Sequence, residues 1–161
     1  MLCCQNRSGI AIENGARRFG ENTECDLPLI TAQGQMAWLN ENLRGHLKPE
    51  LILWTGDSVS HGVEYMTEKE VLETVHILSM LITETYPEVP IVFSLGNHDF
   101  EPSNTQKFSF DESAFLKDIN QFWVDTLPET ERVKLQFQKF GFYSSKVVLH
   151  GRSLLIVSIN T

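Results

Sequence analysis

Apolar residues arrive along this chain in short unbroken runs and in longer spaced series. The runs at 51–54 and 91–95 are too short for helices and carry the branched and aromatic residues of buried strands. Between them Val71, Val75, Leu78, Leu81 and Ile82 recur at helical spacing. Thr67-Glu68-Lys69-Glu70 is a capping box, in which the threonine hydroxyl and the glutamate three residues on satisfy first-turn amides. It predicts a helix from there to about Thr85, closed by Pro87 and Pro90. A strand–helix–strand unit of this kind predicts a right-handed parallel crossover. Earlier, Ile30, Met36, Leu39, Leu43 and Leu47 predict a helix ended by Pro49. After a loop at 100–109, Phe115, Ile119, Phe122 and Trp123 predict a helix over 111–126, with Pro128 ending it. Glu129-Thr130-Glu131 reads as the start of a short further helix. The β-rich runs 142–149 and 153–159 flank His150-Gly151-Arg152, a hairpin signal. Strands alternating with helices place the chain in the α/β class. Residues 1–28 hold no period and are punctuated by Gly9, Gly15, Gly20 and Pro28, so they read as an irregular loop.

Composition narrows this only at a few points. A chain of 161 residues can bury roughly two-thirds of its unfolded surface, so one domain, or part of one, is expected. The net charge of −8 argues against a nucleic-acid polymer as partner. No apolar run reaches the roughly 18 residues needed to span a membrane. The start, Met1-Leu2-Cys3-Cys4-Gln5-Asn6-Arg7, lacks the apolar stretch of a signal peptide. All three cysteines fall in the first 25 positions. Adjacent Cys3 and Cys4 hardly bridge each other without strain, so Cys4 or Cys3 is expected to pair with Cys25. The odd cysteine then needs a partner elsewhere; three reduced thiols are the alternative. Asn6-Arg7-Ser8 is a glycosylation sequon.

The chemistry sits where the two predicted strands end. The first gives way to Gly56-Asp57-Ser58-Val59-Ser60-His61, the second to Gly96-Asn97-His98-Asp99. Strand, glycine, then side chains able to bind metal or move protons is how an α/β protein holds ligands at the carboxyl edge of its sheet. Two such elements forty positions apart (97 − 57), with a helix between them, reinforce each other.

Gly56-Asp57 and Gly96-Asn97-His98-Asp99 resemble the second and third blocks of the calcineurin-like metallophosphoesterases. His61, Pro102-Ser103-Asn104, Phe19-Gly20-Glu21, Cys25-Asp26-Leu27-Pro28, Gly141-Phe142-Tyr143-Ser144 and 156–161 are similar to the acid sphingomyelinase-like branch. The resemblance implies an αββα sandwich, with 1–28 a disulfide-tied loop of the catalytic domain and 29–161 a partial metallophosphoesterase domain. It implies phosphodiester or anhydride hydrolysis at two zinc ions, other divalent metals being an alternative. Asp57 and Asn97 would be metal ligands. His98 and His61 would be catalytic, protonating the leaving oxygen, and Asp99 would orient His98. Sphingomyelin, a nucleotide or polyphosphate would be the substrate, a lipid surface one place to meet it, and an extracellular or lysosomal compartment the location. The partner of the odd cysteine would lie upstream of Met1.

The family also opens with an Asp-x-His block and closes with a lone His and a Gly-His-x-His block. Neither block occurs in this sequence, so the fold is expected to be incomplete and the chain alone inactive or nearly so. Exposed apolar sheet surface is expected for the same reason. His46, His76 and His150 read as structural or solvated residues rather than replacements. Trp54 reads as strand core, and Tyr143 as core or hairpin packing in preference to a substrate groove.

Overall fold

The computed structural model describes residues 18–21, 25–105, 111 and 113–160. Most of the 1–28 segment, including Cys4 and the Asn6 sequon, lies outside the described residues, as does the second half of the 100–109 loop.

Helix α1 (Leu29–Asn42) stops earlier than the apolar spacing predicts. The Asn42 amide donates back to the Trp38 carbonyl and the Arg44 guanidinium to that of Asn40, which satisfies last-turn acceptors side-on. Gly45 then turns the chain at φ +59°, and Leu47 falls in a separate 3-10 turn, Gly45–Leu47.

Strand β1 (Ile52–Trp54) pairs in parallel with β2 (Ile91–Phe93), with Ile52 opposite Ile91 and Trp54 opposite Phe93. The crossover is helix α2 (Glu68–Thr85). Its capping box forms as expected: the Thr67 hydroxyl accepts from the Glu70 N–H, and the Glu70 carboxylate accepts from the Thr67 N–H. Val71, Val75, Ser79 and Ile82 are buried, while Leu78 and Leu81 lie half-buried at the flank of that face.

The helix expected over 111–126 is broken. Ser113 caps α3 (Ala114–Asn120), and a 3-10 turn follows at Val124–Thr126. Tertiary partners compete successfully with helix continuation here. The Ser79 hydroxyl donates to the Phe122 carbonyl at 2.5 Å, and the Thr126 hydroxyl accepts the Ile91 N–H at 2.9 Å. The short helix expected after Pro128 is instead three turns long, α4 (Thr130–Phe140), ended by Gly141 at φ +68°. Strands β3 (Tyr143–Leu149) and β4 (Arg152–Ser158) form an antiparallel hairpin. Its turn is His150-Gly151, both at positive φ, and Arg152 already pairs with Leu149, so the turn is one residue tighter than the sequence suggests.

The core lies between β2, the α3–α4 region and the hairpin. Trp123 packs against Phe93, Phe137 and Tyr143 with ring centroids 5.7, 5.2 and 5.3 Å away. Tyr143 is buried, and its hydroxyl accepts the Phe93 N–H and donates to the Phe93 carbonyl, both at 3.0 Å. The Ser158 hydroxyl donates to the same carbonyl at 3.0 Å. Side chains of the hairpin therefore occupy the edge of β2 that faces away from β1. The result is an incomplete α/β fold of two partial sheets with helices packed on them. Apolar residues on the hairpin remain exposed, Val148, Leu155 and Val157 among them.

Candidate active site

Both chemical motifs begin where β1 and β2 run out, and glycine decides how closely they approach. Gly56 turns at φ +79°, and a Cβ there would meet the Ser94 carbonyl oxygen at 2.6 Å and the Leu95 carbonyl carbon at 2.7 Å. A Cβ on Gly96 would collide with the Asp57 carboxylate and its backbone nitrogen. Only hydrogen fits at either position, so the two loops touch backbone to backbone. Asp57 itself sits in the left-handed region at φ +52°, unusual for a residue with a side chain.

The contact is locked in both directions. Fully buried Asp99 accepts the N–H of Asp57 at 3.0 Å, of Ser58 at 2.8 Å and of Gly96 at 2.8 Å. In return the exposed Asp57 carboxylate accepts the His98 N–H at 3.1 Å. Burial raises the Asp99 carboxyl above the ordinary carboxylate range, with the three amide bonds pulling the other way. These bonds of Asp99 go to amides rather than to the His98 ring, whose Nδ1 is buried without a partner among the described residues. Asp99 thereby shapes the main chain of both loops, the His98 loop among them.

The His98 ring instead meets His61, with centroids 4.9 Å apart and planes tilted by 58°. His61 Nδ1 lies 2.5 Å from Asp26 Oδ1, and its N–H donates to Asp26 Oδ2 at 3.0 Å. The hydrogen bond and charge of Asp26, with a smaller contribution from Asp57, raise the His61 pKa above 6.5. Asn97 is exposed, and its carbonyl accepts the Asn104 N–H at 3.0 Å, closing the loop through Pro102-Ser103-Asn104. Asp57, His61 and His98 are thus brought together.

Among the described residues no three His, Cys, Asp or Glu side chains converge to hold a metal ion. The Asp57 carboxylate and the Asn97 amide fall short of the three or four protein donors usual for one zinc ion, let alone two. The residues present do not fit a complete metal centre. The remaining histidines stand apart from these loops: His76 stacks on Phe122 at 4.5 Å, and exposed His150 pairs with Glu50 at 2.8 Å.

Asp26 and Ser58 are the site residues that sequence reasoning passed over. Asp26 stood within a recognisable segment, but nothing in its spacing tied it to a histidine 35 positions away.

Residues 32–160 match the calcineurin-like phosphoesterase family. The chain is 36% identical over 138 residues to an acid sphingomyelinase-like phosphodiesterase 3b of Mus musculus, covering 85% of this chain and 29% of that protein. It is 33% identical over 107 residues to a sphingomyelin phosphodiesterase of Homo sapiens, covering 65% and 16%. An endopolyphosphatase of Debaryomyces hansenii is 28% identical over 173 aligned positions, covering 98% and 23%. The chain spans less than a third of the length of these relatives. With two glycine-hinged loops latched at the ends of parallel strands and a family match across most of its length, this chain belongs to the calcineurin-like phosphoesterases.

Proposed function

We propose that this chain supplies the Gly-Asp and Gly-Asn-His-Asp loops of a phosphoric diester hydrolase of the acid sphingomyelinase-like kind. The observation that carries this reading is the reciprocal latch, Asp99 holding the Asp57 loop while Asp57 holds His98. It presents a carboxylate and two imidazoles to one region from two different strands. Asp57 and Asn97 are the donors the chain offers to divalent ions, zinc being the ion the family resemblance implies. Those ions, when bound, would supply charge neutralisation at the phosphoryl oxygens.

What this chain's own residues do is narrower. His98 and His61 would deliver a proton to the leaving oxygen, and Asp99 would keep both loops in register for it. The ligand count makes the 161-residue chain inactive, or nearly so, without further donors from elsewhere. A disulfide between Cys4 and Cys25, a glycan at Asn6 and an extracellular or lysosomal location belong to the same reading. Sphingomyelin and related phosphodiesters are the substrate class favoured by the names of the mouse and human relatives, with nucleotides a further member of that class. Polyphosphate is the second reading, favoured by the endopolyphosphatase relatives.

The test pairs zinc binding with hydrolysis of a chromogenic phosphodiester, for the chain and for Asp57→Ala. Weak zinc binding that falls at least about tenfold in the variant, a loss of roughly 1.4 kcal/mol, is expected. Zinc affinity and turnover both indifferent to Asp57→Ala would overturn the proposal. Phosphate release from polyphosphate, exceeding diester cleavage, would transfer the chain to the second reading.

A further inference from the structure

We infer that Asp26 is a positioning residue of this site, fixing the His61 ring through Nδ1 so that Nε2 is the nitrogen that exchanges a proton with the leaving oxygen. The inference deepens the hydrolase reading and rests on it for the identity of the proton's destination.

Two contacts from one carboxylate carry the assignment. Asp26 Oδ1 takes the ring nitrogen at 2.5 Å and Oδ2 takes the backbone N–H of the same histidine at 3.0 Å. Gripping main chain and ring together fixes both where His61 stands and how its ring is turned. An ionised carboxylate only accepts hydrogen bonds, so the proton of the neutral ring resides on Nδ1. The ring also lies beside that of His98, 4.9 Å between centroids, so the two imidazoles of the two loops are neighbours.

Stability alone does not account for this arrangement. The His61 side chain is 73% exposed and that of Asp26 27% exposed, and exposed ion pairs contribute only about 0–1 kcal/mol. A fixed tautomer, by contrast, has direct chemical use. In the step this geometry serves, water forms the new P–O bond and releases its proton to solvent. The broken P–O bond leaves its electron pair on the departing oxygen, which takes the Nε2 proton of the imidazolium. The ring is left neutral with its proton on Nδ1, the form Asp26 selects, and recovers the Nε2 proton from solvent. Asp26 touches no reacting atom.

Long-range proton–nitrogen correlation spectra of the histidine rings, at a pH where His61 is neutral, test this without any turnover. The expected result is a His61 ring protonated mainly on Nδ1 in the wild type, moving towards the Nε2-protonated form in Asp26→Ala. Asp26→Asn, whose amide oxygen still accepts from Nδ1, should retain the wild-type form. A wild-type ring protonated mainly on Nε2, or a tautomer unchanged in Asp26→Ala, would overturn the inference. If Asp26→Ala does not fold, the wild-type spectrum and Asp26→Asn decide. Failure here leaves the Asp57 zinc and hydrolysis test untouched, and failure of that test leaves the tautomer measurement standing, so the two readings fall separately.

Discussion

The backbone N–H of Asp57 donates to the buried carboxylate of Asp99 across 42 residues of sequence, at 3.0 Å. The same carboxylate also serves Ser58 and Gly96, so removing it strands three amides at the junction of two loops. Asp99→Ala should destabilise the chain by roughly 3–5 kcal/mol, since each buried amide left without an acceptor costs about 1–3 kcal/mol. Asp99→Asn should cost less, because one acceptor oxygen remains while an NH2 group opposes the other donors. Urea unfolding of both variants checks the order. A loss under about 1 kcal/mol for Asp99→Ala would show that the latch is not what holds the loops together.

The glycines make a separate prediction. Gly96→Ala pushes a methyl group into the Asp57 carboxylate, and Gly56→Ala forces one against the Ser94 carbonyl while imposing φ +79° on a residue with a Cβ. Overpacking of this kind costs about 1–3 kcal/mol, and the left-handed backbone adds roughly 1–2 kcal/mol at position 56. Gly56→Ala should therefore be the more damaging in thermal unfolding. Gly96→Ala should chiefly weaken zinc binding by displacing Asp57. Equal and negligible effects from both would mean that the loops can separate freely.

Tyr143→Phe addresses how the hairpin is held. The hydroxyl satisfies both the N–H and the carbonyl of Phe93 on an edge that no further strand covers among the described residues. Its removal leaves the Phe93 N–H without its acceptor, while the carbonyl keeps the Ser158 hydroxyl, a cost of about 1–3 kcal/mol. Amide exchange at Phe93 should accelerate in the variant. Unchanged protection there would show that the Tyr143 hydroxyl is not what holds this amide.

Much of this arrangement is legible from local sequence, and the exceptions share a cause. The Thr67 capping box, the parallel strands and the glycine-hinged loops follow from residues within a few positions of one another. The break in the 111–126 helix does not, because it is set by Ser79 and Ile91, which reach Phe122 and Thr126 only in the folded chain. Likewise Asp57, Asn97, His98 and Asp99 announce themselves by motif. Asp99's actual partners do not, since three backbone amides carry no sequence signal. Asp26 stayed hidden for the same reason, its link to His61 existing only through tertiary contact.

The last prediction concerns that pair and its pH dependence. His61 faces the Asp26 carboxylate, with Asp57 further off and the His98 ring 4.9 Å away. Asp26 raises the His61 pKa above 6.5 through its hydrogen bond and its charge. A folded-state value above the unfolded one means that the native chain holds the proton to higher pH. The resulting stabilisation is complete below 6.5 and is lost as pH rises through the raised value. Asp26→Asn removes the charge, and with it the part of this stabilisation that the charge supplies. The stability difference between wild type and Asp26→Asn should therefore be largest near pH 5–6, above the ordinary aspartate range of about 4, and should shrink on the alkaline side. Urea unfolding of both chains from pH 5 to 9 measures it. A difference that stays constant across this range, or grows as pH rises, would mean that Asp26 does not stabilise the protonated His61 ring.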